Sequence, residues 1–306
     1  MRIAFLGTPE FALPSLAMLI ARGDTLCVFT QPDRPVGRKA VLTPPPVKAL
    51  ALERGVPVLQ FEKIRSKDGV AAMEAFAPDL CVTAAFGQLL SAKNLAIPKY
   101  GTINVHGSLL PKYRGASPIQ SAIIDGEAET GVTTMLTDIG MDTGDILLQA
   151  RTPIGENETY GELSDRLAIL GAGLLSETLD ALGAGTLSRT PQDEAAATVC
   201  HMLTKEDGRI DCSLPCKAVH DLVRGTNPWP AASALLDGQP LKLWETRRSD
   251  ASFDVPAGTL IERNGRLFVQ CADGALEILS LQASGKKRMD AAAFVRGCPL
   301  DGKRLC

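Results

Sequence analysis

The chain opens with short apolar runs separated by segments of helical spacing, each set off by Gly, Pro or polar residues. RIAFL (2–6) reads as a buried strand ending at Gly7-Thr8. A helix is expected from about Pro9 to Ala21, since Pro is tolerated in a first turn. TLCVFT (25–30), VPVLQ (56–60), DLCVTAAF (79–86) and GTINVHG (101–107) read as further strands. VKALALERG, SKDGVAAMEAFA and SPIQSAIIDG read as helices, with Gly55 suited to a helix C-terminus. Strands interleaved with helices in this way predict a mostly parallel α/β sheet. QPDRPVGRKAVLTPPP (31–46) is too rich in Pro and Gly for either period and reads as a long irregular loop.

From Thr130 the texture changes. GVTTMLTDI and DILLQARTPI read as two strands around GMDTG, and the helical spacing of 159–182 closes a first domain, 1–183. Residues 184–205 show little periodicity and read as a linker. In 206–306, SLPCKAVHDLVRG reads as a helix with Ser213 as its N-cap. SALLDG, LKLWETRR, GTLIERNG, RLFVQCADG and LEILSLQ read as strands, with hairpin turns at Asn264-Gly265 and Asp273-Gly274. The expected architecture is a Rossmann-like α/β domain with a mostly parallel sheet, followed by a smaller β-barrel-like (OB-like) domain.

Totals narrow the class. A chain of 306 residues suits two domains, and 45% apolar with 22% charged residues is ordinary globular composition. The net charge of −3 excludes a global basic field, so a nucleic-acid partner would be held by local patches. Eight cysteines without an evenly spaced framework read as reduced thiols. No window reaches about 18 uninterrupted apolar residues, so no membrane span is expected. Pro9, Glu10 and Pro14 break the N-terminal apolar run, so a secretory signal is not expected either. A cytoplasmic monomer is the default expectation.

Only three histidines occur, and His106 lies two residues beyond Asn104 at the end of a predicted strand. Alternate strand residues face one side, and in open α/β sheets ligands bind off the carboxyl ends of the strands. A carboxamide can donate to a developing oxyanion, and an imidazole can add charge or move a proton near neutral pH. Asp142 and Asp145 in GMDTGD offer carboxylates that could orient the ring. Residue types alone favour the plainer reading, a pair of polar residues merely hydrogen-bonded at a strand end and ordinary turn acids.

The stretch INVHGSLLPKYRGASPI, followed by ETGVT and GMDTGD, resembles the formyltransferases that use 10-formyltetrahydrofolate. FLGTPEFA, QPDRPVGR with PPPVK, RGTNPWP (224–230) and LSLQASGKK (279–287) are similar to the methionyl-tRNA formyltransferase family within that group. The resemblance covers nearly the whole chain. It implies transfer of a formyl group from 10-formyltetrahydrofolate to the α-amine of initiator methionyl-tRNA, without a metal. It further implies a catalytic trio of Asn104, His106 and Asp142. Ser108, Leu109, Leu110 and Pro111 would border the folate, with the strand end at Phe86 and Gly87 as a further wall.

The same resemblance makes the 31–46 loop an arm for the tRNA acceptor end, carrying Arg34, Arg38 and Lys39, with Arg38 the leading contact. Lys286, Lys287 and Arg288 form the clearest basic cluster of the second domain, and Arg247-Arg248 a second. The family tends to carry basic residues between its domains. Here PQDEAAATVCHMLTKEDG is acidic, which shifts the expected tRNA contacts to the loop and the second domain. Sugar-nucleotide N-formyltransferases share the core motif but would not need the QPDRPVGRK insertion. A non-catalytic folate- or tRNA-binding protein would not need all three reactive residues. Cys212, Cys216 and His220 recur every four residues, but lack a C-x-x-C pair and read as buried thiols and a surface His rather than zinc ligands. GTPEFA after the first strand lacks the dinucleotide-binding G-x-G-x-x-G.

Overall fold

The computed structural model describes residues 1–37 and 39–306. Along the chain, β1 (Arg2–Gly7) leads through a 3₁₀ turn at Glu10–Ala12 into α1 (Leu13–Ala21), with Pro14 in its first turn. β2 (Thr25–Thr30) follows. The segment expected to be irregular holds an antiparallel hairpin, β3 (Arg34–Val36) with β4 (Val41–Thr43), in the register Arg34–Thr43 and Val36–Val41. A two-stranded ribbon leaves one edge of each strand unpaired, so Pro35 does not forbid it.

Then come α2 (Pro46–Glu53), β5 (Val58–Gln60), α3 (Lys67–Phe76), β6 (Leu80–Ala84), α4 (Ala92–Ala96) and β7 (Thr102–His106). β8 (Arg114–Gly115), α5 (Pro118–Ile124), β9 (Glu129–Leu136) and β10 (Ile146–Pro153) precede α6 (Tyr160–Ala184). Local chemistry sets the helix starts. Ser66 Oγ accepts the Gly69 N–H at 3.2 Å, and Thr159 with Glu162 forms a reciprocal capping box ahead of α6. After β11 (Val199–Cys200) the chain enters α7 (Cys216–Gly225), strands β12 (Ser233–Leu236), β13 (Gln239–Arg248), β14 (Leu260–Arg263), β15 (Arg266–Gln270), β16 (Ala275–Ala283) and β17 (Met289–Asp290), and finally α8 (Ala291–Gly297).

These elements form two compact units. The first is Met1–Gly115, Thr130–Thr152 and Ser164–Val199; the second is Ala116–Glu129, Pro153–Leu163 and Cys200–Cys306. The first unit holds a seven-stranded sheet in the order β10-β9-β7-β6-β1-β2-β5. β5, β2, β1, β6 and β7 run parallel, and β9 pairs antiparallel with β7. This is the Rossmann-like, mostly parallel arrangement expected. β1 and β6 are buried along almost their whole length, as central strands covered on both faces must be. Helix α6 is long and apolar enough to cross a membrane by length and composition. Its apolar side is used within the unit. Leu167, Leu174, Leu175 and Leu179 are buried, and Gly171 lets the helix approach Val105 and Val132 so closely that a Cβ would meet them at 2.8 and 3.3 Å.

The second unit curls one antiparallel sheet, β12-β13-β16-β15-β14 with β17 on β16, around an apolar core. The last residues join its two edges. Leu235 exchanges both backbone hydrogen bonds with Cys306, and Leu305 N–H donates to Gly258. That is the barrel-like closure expected. The N-cap of α7 differs from expectation. Pro215, not Ser213, occupies the cap, and Asp273 reaches across to accept the Cys216 N–H at 2.7 Å. Ser213 instead donates to Asp211. His220 is buried rather than at the surface, with Nδ1 at 2.9 Å from Thr246 Oγ1 and Nε2 at 3.0 Å from the Glu156 carbonyl. Burial holds its pKa below the usual range. All eight cysteines are free; Cys27, Cys81, Cys200, Cys212, Cys216 and Cys271 are buried, Cys298 is half-buried and Cys306 exposed.

Candidate active site

Asn104 and His106 sit at the carboxyl end of β7, two residues apart and therefore on one side of the sheet. Their neighbours are set by register: Asn104 lies between Thr83 of β6 and Met135 of β9, and His106 beside Thr133 of β9. The Thr83 hydroxyl donates to Asn104 Oδ1 at 2.8 Å. The hydroxyl could serve either end of the carboxamide; Asp142, a carboxylate that only accepts, assigns the orientation. The NH₂ group accordingly points to Asp142 Oδ1 at 3.4 Å.

His106 is 5% exposed. Its Nε2 is 2.9 Å from the Tyr113 carbonyl, which can only accept, so Nε2 carries the hydrogen. Nδ1 then faces Asp142 Oδ2 at 3.6 Å. This is a charge-pair distance, longer than a direct hydrogen bond. A proton arriving at Nδ1 would meet a carboxylate.

Asp142 comes from the loop between β9 and β10 with φ of +54°, in the left-handed region that Asp adopts more readily than most residues. Its Oδ2 accepts the Gly115 N–H at 2.8 Å. Asp138 Oδ1 orders the start of the same loop by accepting from Gly140 N–H at 3.0 Å and the Thr143 hydroxyl at 2.7 Å. Gly144 has no room for a side chain, since a Cβ there would lie 1.7 Å from the Leu136 carbonyl oxygen. The spacing of GMDTGD is thus imposed by packing as well as by chemistry. Asp145, the other acid of the motif, contributes its backbone carbonyl to Leu136 N–H at 2.9 Å.

Ser108–Pro111 follows directly on His106 and is tied down through its backbone. Ser108 Oγ donates to the Lys112 carbonyl at 2.7 Å, and Thr133 Oγ1 donates to the Ser108 carbonyl at 2.7 Å while accepting the Leu110 N–H at 3.1 Å. Gln149 donates to the Leu110 carbonyl at 2.8 Å. Ser108 and Leu110 are buried; Leu109 and Pro111 are half-buried. At the end of β6 the Phe86 ring lies in the core beside Leu6, Phe29 and Met73, so that strand end presents backbone, with exposed Gly87 at φ +74°. The structure therefore brings Asn104, His106, Asp142 and Ser108–Pro111 into one neighbourhood.

The basic residues lie on other elements. Arg34 is exposed on β3, 2.5 Å from Glu62 Oε2, and Lys39 is exposed between β3 and β4. Arg38 lies outside the described residues. Lys286, Lys287 and Arg288 belong to the second unit. Both lysines are exposed, while Arg288 pairs with Glu245, donates to Ser280 Oγ at 2.9 Å and lies over the Trp244 ring at 5.3 Å. Among the described residues, no three His, Cys, Asp or Glu side chains gather as metal ligands. Periodicity gave no hint of Thr83, Tyr113, Gly115 or Gln192. Three of them act through backbone or through an amide in a stretch with no regular period.

Residues 1–179 match the formyl transferase family, and residues 202–299 match the formyl transferase C-terminal domain. A methionyl-tRNA formyltransferase of Pelobacter propionicus is 50% identical over 299 residues, 97% of this chain and 93% of that protein. One of Ruminiclostridium cellulolyticum is 46% identical over 310 residues, 100% of this chain and 99% of that protein. Among solved structures, the sugar 3N-formyl transferase WlaRD, with dTDP and 5-N-formyl-THF, superposes with a TM-score of 0.70 at 17% identity, covering 94% of this chain and 99% of that one. The likeness to WlaRD is one of fold. Full-length identity near one half, over both domains, is another matter: the chain belongs to the methionyl-tRNA formyltransferase family.

Proposed function

We infer that this chain transfers a formyl group to the α-amine of methionyl-tRNA, giving formylmethionyl-tRNA for translation initiation, with 10-formyltetrahydrofolate as donor. The observation that carries the chemical reading is the convergence of Asn104, His106 and Asp142 at the end of β7. Asn104 donates to the formyl oxygen as it gains charge under attack by the amine. His106, protonated at Nδ1, supports the same charge. The amine loses a proton on attack and N10 of the folate gains one on leaving. His106 and Asp142 carry that proton between them, so the transfer is balanced without an outside acid or base. Ser108–Pro111 and the Phe86–Gly87 backbone border the folate, mixing apolar surface with fixed polar groups as a pterin requires.

Arg34, Arg38 and Lys39 of the 31–46 segment, together with Lys286, Lys287 and Arg288, contact the tRNA backbone. The enzyme works as a cytoplasmic monomer. Incubation with methionyl-tRNA and 10-formyltetrahydrofolate should yield formylmethionyl-tRNA, with activity falling steeply as salt is raised. Formylation of an amino-sugar nucleotide instead, with little salt dependence, would overturn the substrate assignment.

A further inference from the structure

Asp142 is braced by a segment that sequence periodicity leaves unassigned. The Gln192 side-chain amide donates to two carbonyls, those of Asp142 and Gly144, each at 2.8 Å. Gln192 Oε1 accepts from Arg114 Nε at 3.0 Å. Arg114 is 5% exposed and forks onto Glu194 at 2.9 and 2.8 Å. The residue after it, Gly115, supplies the N–H that Asp142 Oδ2 accepts. The residue before it, Tyr113, supplies the carbonyl that fixes the His106 tautomer. Thr198 closes the frame, accepting from Tyr113 N–H through Oγ1 and from Arg114 N–H through its carbonyl, each at 2.8 Å. Residues 113–115 thus touch His106 on one side and Asp142 on the other, and 192–198 hold them both. All of these groups lie in the first unit.

We propose that Gln192, seated by the Arg114–Glu194 pair, is a positioning residue for formyl transfer. By bridging the Asp142 and Gly144 carbonyls it holds Asp142 in its left-handed conformation, and so sets the separation of the carboxylate from the His106 ring. The proposal rests on the roles given above to His106 and Asp142. Its chemistry is the bracing of a reactive side chain by a neighbour that does not touch substrate, where small displacements weigh heavily on rate.

The test is a double-mutant cycle on the full chain, Gln192→Met in the wild-type and Asp142→Asn backgrounds, assayed with methionyl-tRNA and 10-formyltetrahydrofolate. Methionine keeps the length and loses the donors. Gln192→Met alone should lower kcat by about 10–100-fold, leave both KM values within about 3-fold, and displace a limb of the kcat–pH profile. In the Asp142→Asn background it should cost little more, because the group it positions is already gone. Equal losses in both backgrounds, or a wild-type pH profile, would overturn the proposal. Asp142→Asn that itself keeps the wild-type rate would instead overturn the catalytic reading beneath it. Should Gln192→Met not fold, Glu194→Gln loosens Arg114 while keeping Gln192. It should give a smaller kcat loss with the same displaced limb, and an unchanged profile there counts against the proposal.

Discussion

His106 Nδ1 and Asp142 Oδ2 face each other at 3.6 Å, although they come from a strand end and from a loop 36 residues further along the chain. The ring is held from its other nitrogen by Tyr113, so loss of the imidazole removes chemistry more than structure. His106→Ala should lower the single-turnover formylation rate by about 10²–10⁴-fold. Its unfolding free energy should change by only about 1–2 kcal/mol. A variant that formylates at the wild-type rate would show that the ring is a bystander.

Asn104 Oδ1 is held by the Thr83 hydroxyl, and loss of the two residues should differ in severity. Asn104→Ala removes the donor itself and is expected to lower kcat by about 10²–10³-fold. Thr83→Val leaves the carboxamide in place but unfixed at Oδ1, so its loss should be smaller. Steady-state kinetics of both variants at saturating folate will rank them, and the reverse order would count against Asn104 as the donor.

Gly171 of α6 stands where a Cβ would meet Val105 at 2.8 Å, and Val105 lies between Asn104 and His106 on β7. Gly171→Ala improves helix propensity by about 1 kcal/mol but overpacks the core. A net destabilisation of about 1–3 kcal/mol is expected, with a loss of kcat transmitted through β7. Chemical denaturation separates the two contributions, and a stabilised variant would mean the strand yields without strain.

Burial holds the His220 pKa below its ordinary 6.5, so the folded second unit keeps the ring neutral where the unfolded chain would protonate it. The unfolded state then binds the extra proton, and stability falls as pH drops from about 6.5 towards the folded value, levelling off below it. Above 6.5 this group adds no slope. His220→Gln should flatten that part of the stability–pH curve, measured by urea unfolding from about two pH units below the ordinary 6.5 to about one above it.

Lys39, Lys286 and Lys287 are exposed, and under the proposed function they contact tRNA phosphates. Alanine at each should raise KM for methionyl-tRNA while leaving KM for the folate unchanged. The slope of log affinity against log salt should fall by about one per contact removed. An unchanged slope for the Lys286 and Lys287 variants would confine the tRNA contacts to other residues.

The parts of the fold that bury a regular stripe were legible in the sequence. RIAFL, TLCVFT and DLCVTAAF are continuous apolar runs because β1, β2 and β6 are covered on both faces, and they lie within a residue or two of where the runs place them. The hairpin Arg34–Thr43 was not legible, since a ribbon exposed on both faces needs no hydrophobic alternation. Ser213 looked like a cap by residue type, but the α7 N-terminus is satisfied by Asp273, 57 residues away. At the site, Asn104 and His106 stood out by their spacing at a strand end, whereas Asp142 was separated from Asp145 only by the family resemblance. Gln192 did not stand out, because an amide on two carbonyls leaves no trace in periodicity. The acidic character of 191–208 now has a partial structural reason: Glu194 answers a buried arginine, and that arginine holds its carboxyl below the usual carboxylate range.

The distribution of sulfur has a practical side. Burial pushes the thiols of Cys27 and Cys212 up to about 11 and that of Cys81 to about 12. Near neutral pH these side chains hold almost no thiolate, the form that alkylating reagents and peroxides attack. A maleimide dye would therefore go first to exposed Cys306 in the second unit, tagging the protein far along the chain from Asn104, His106 and Asp142 without any cysteine having to be engineered away.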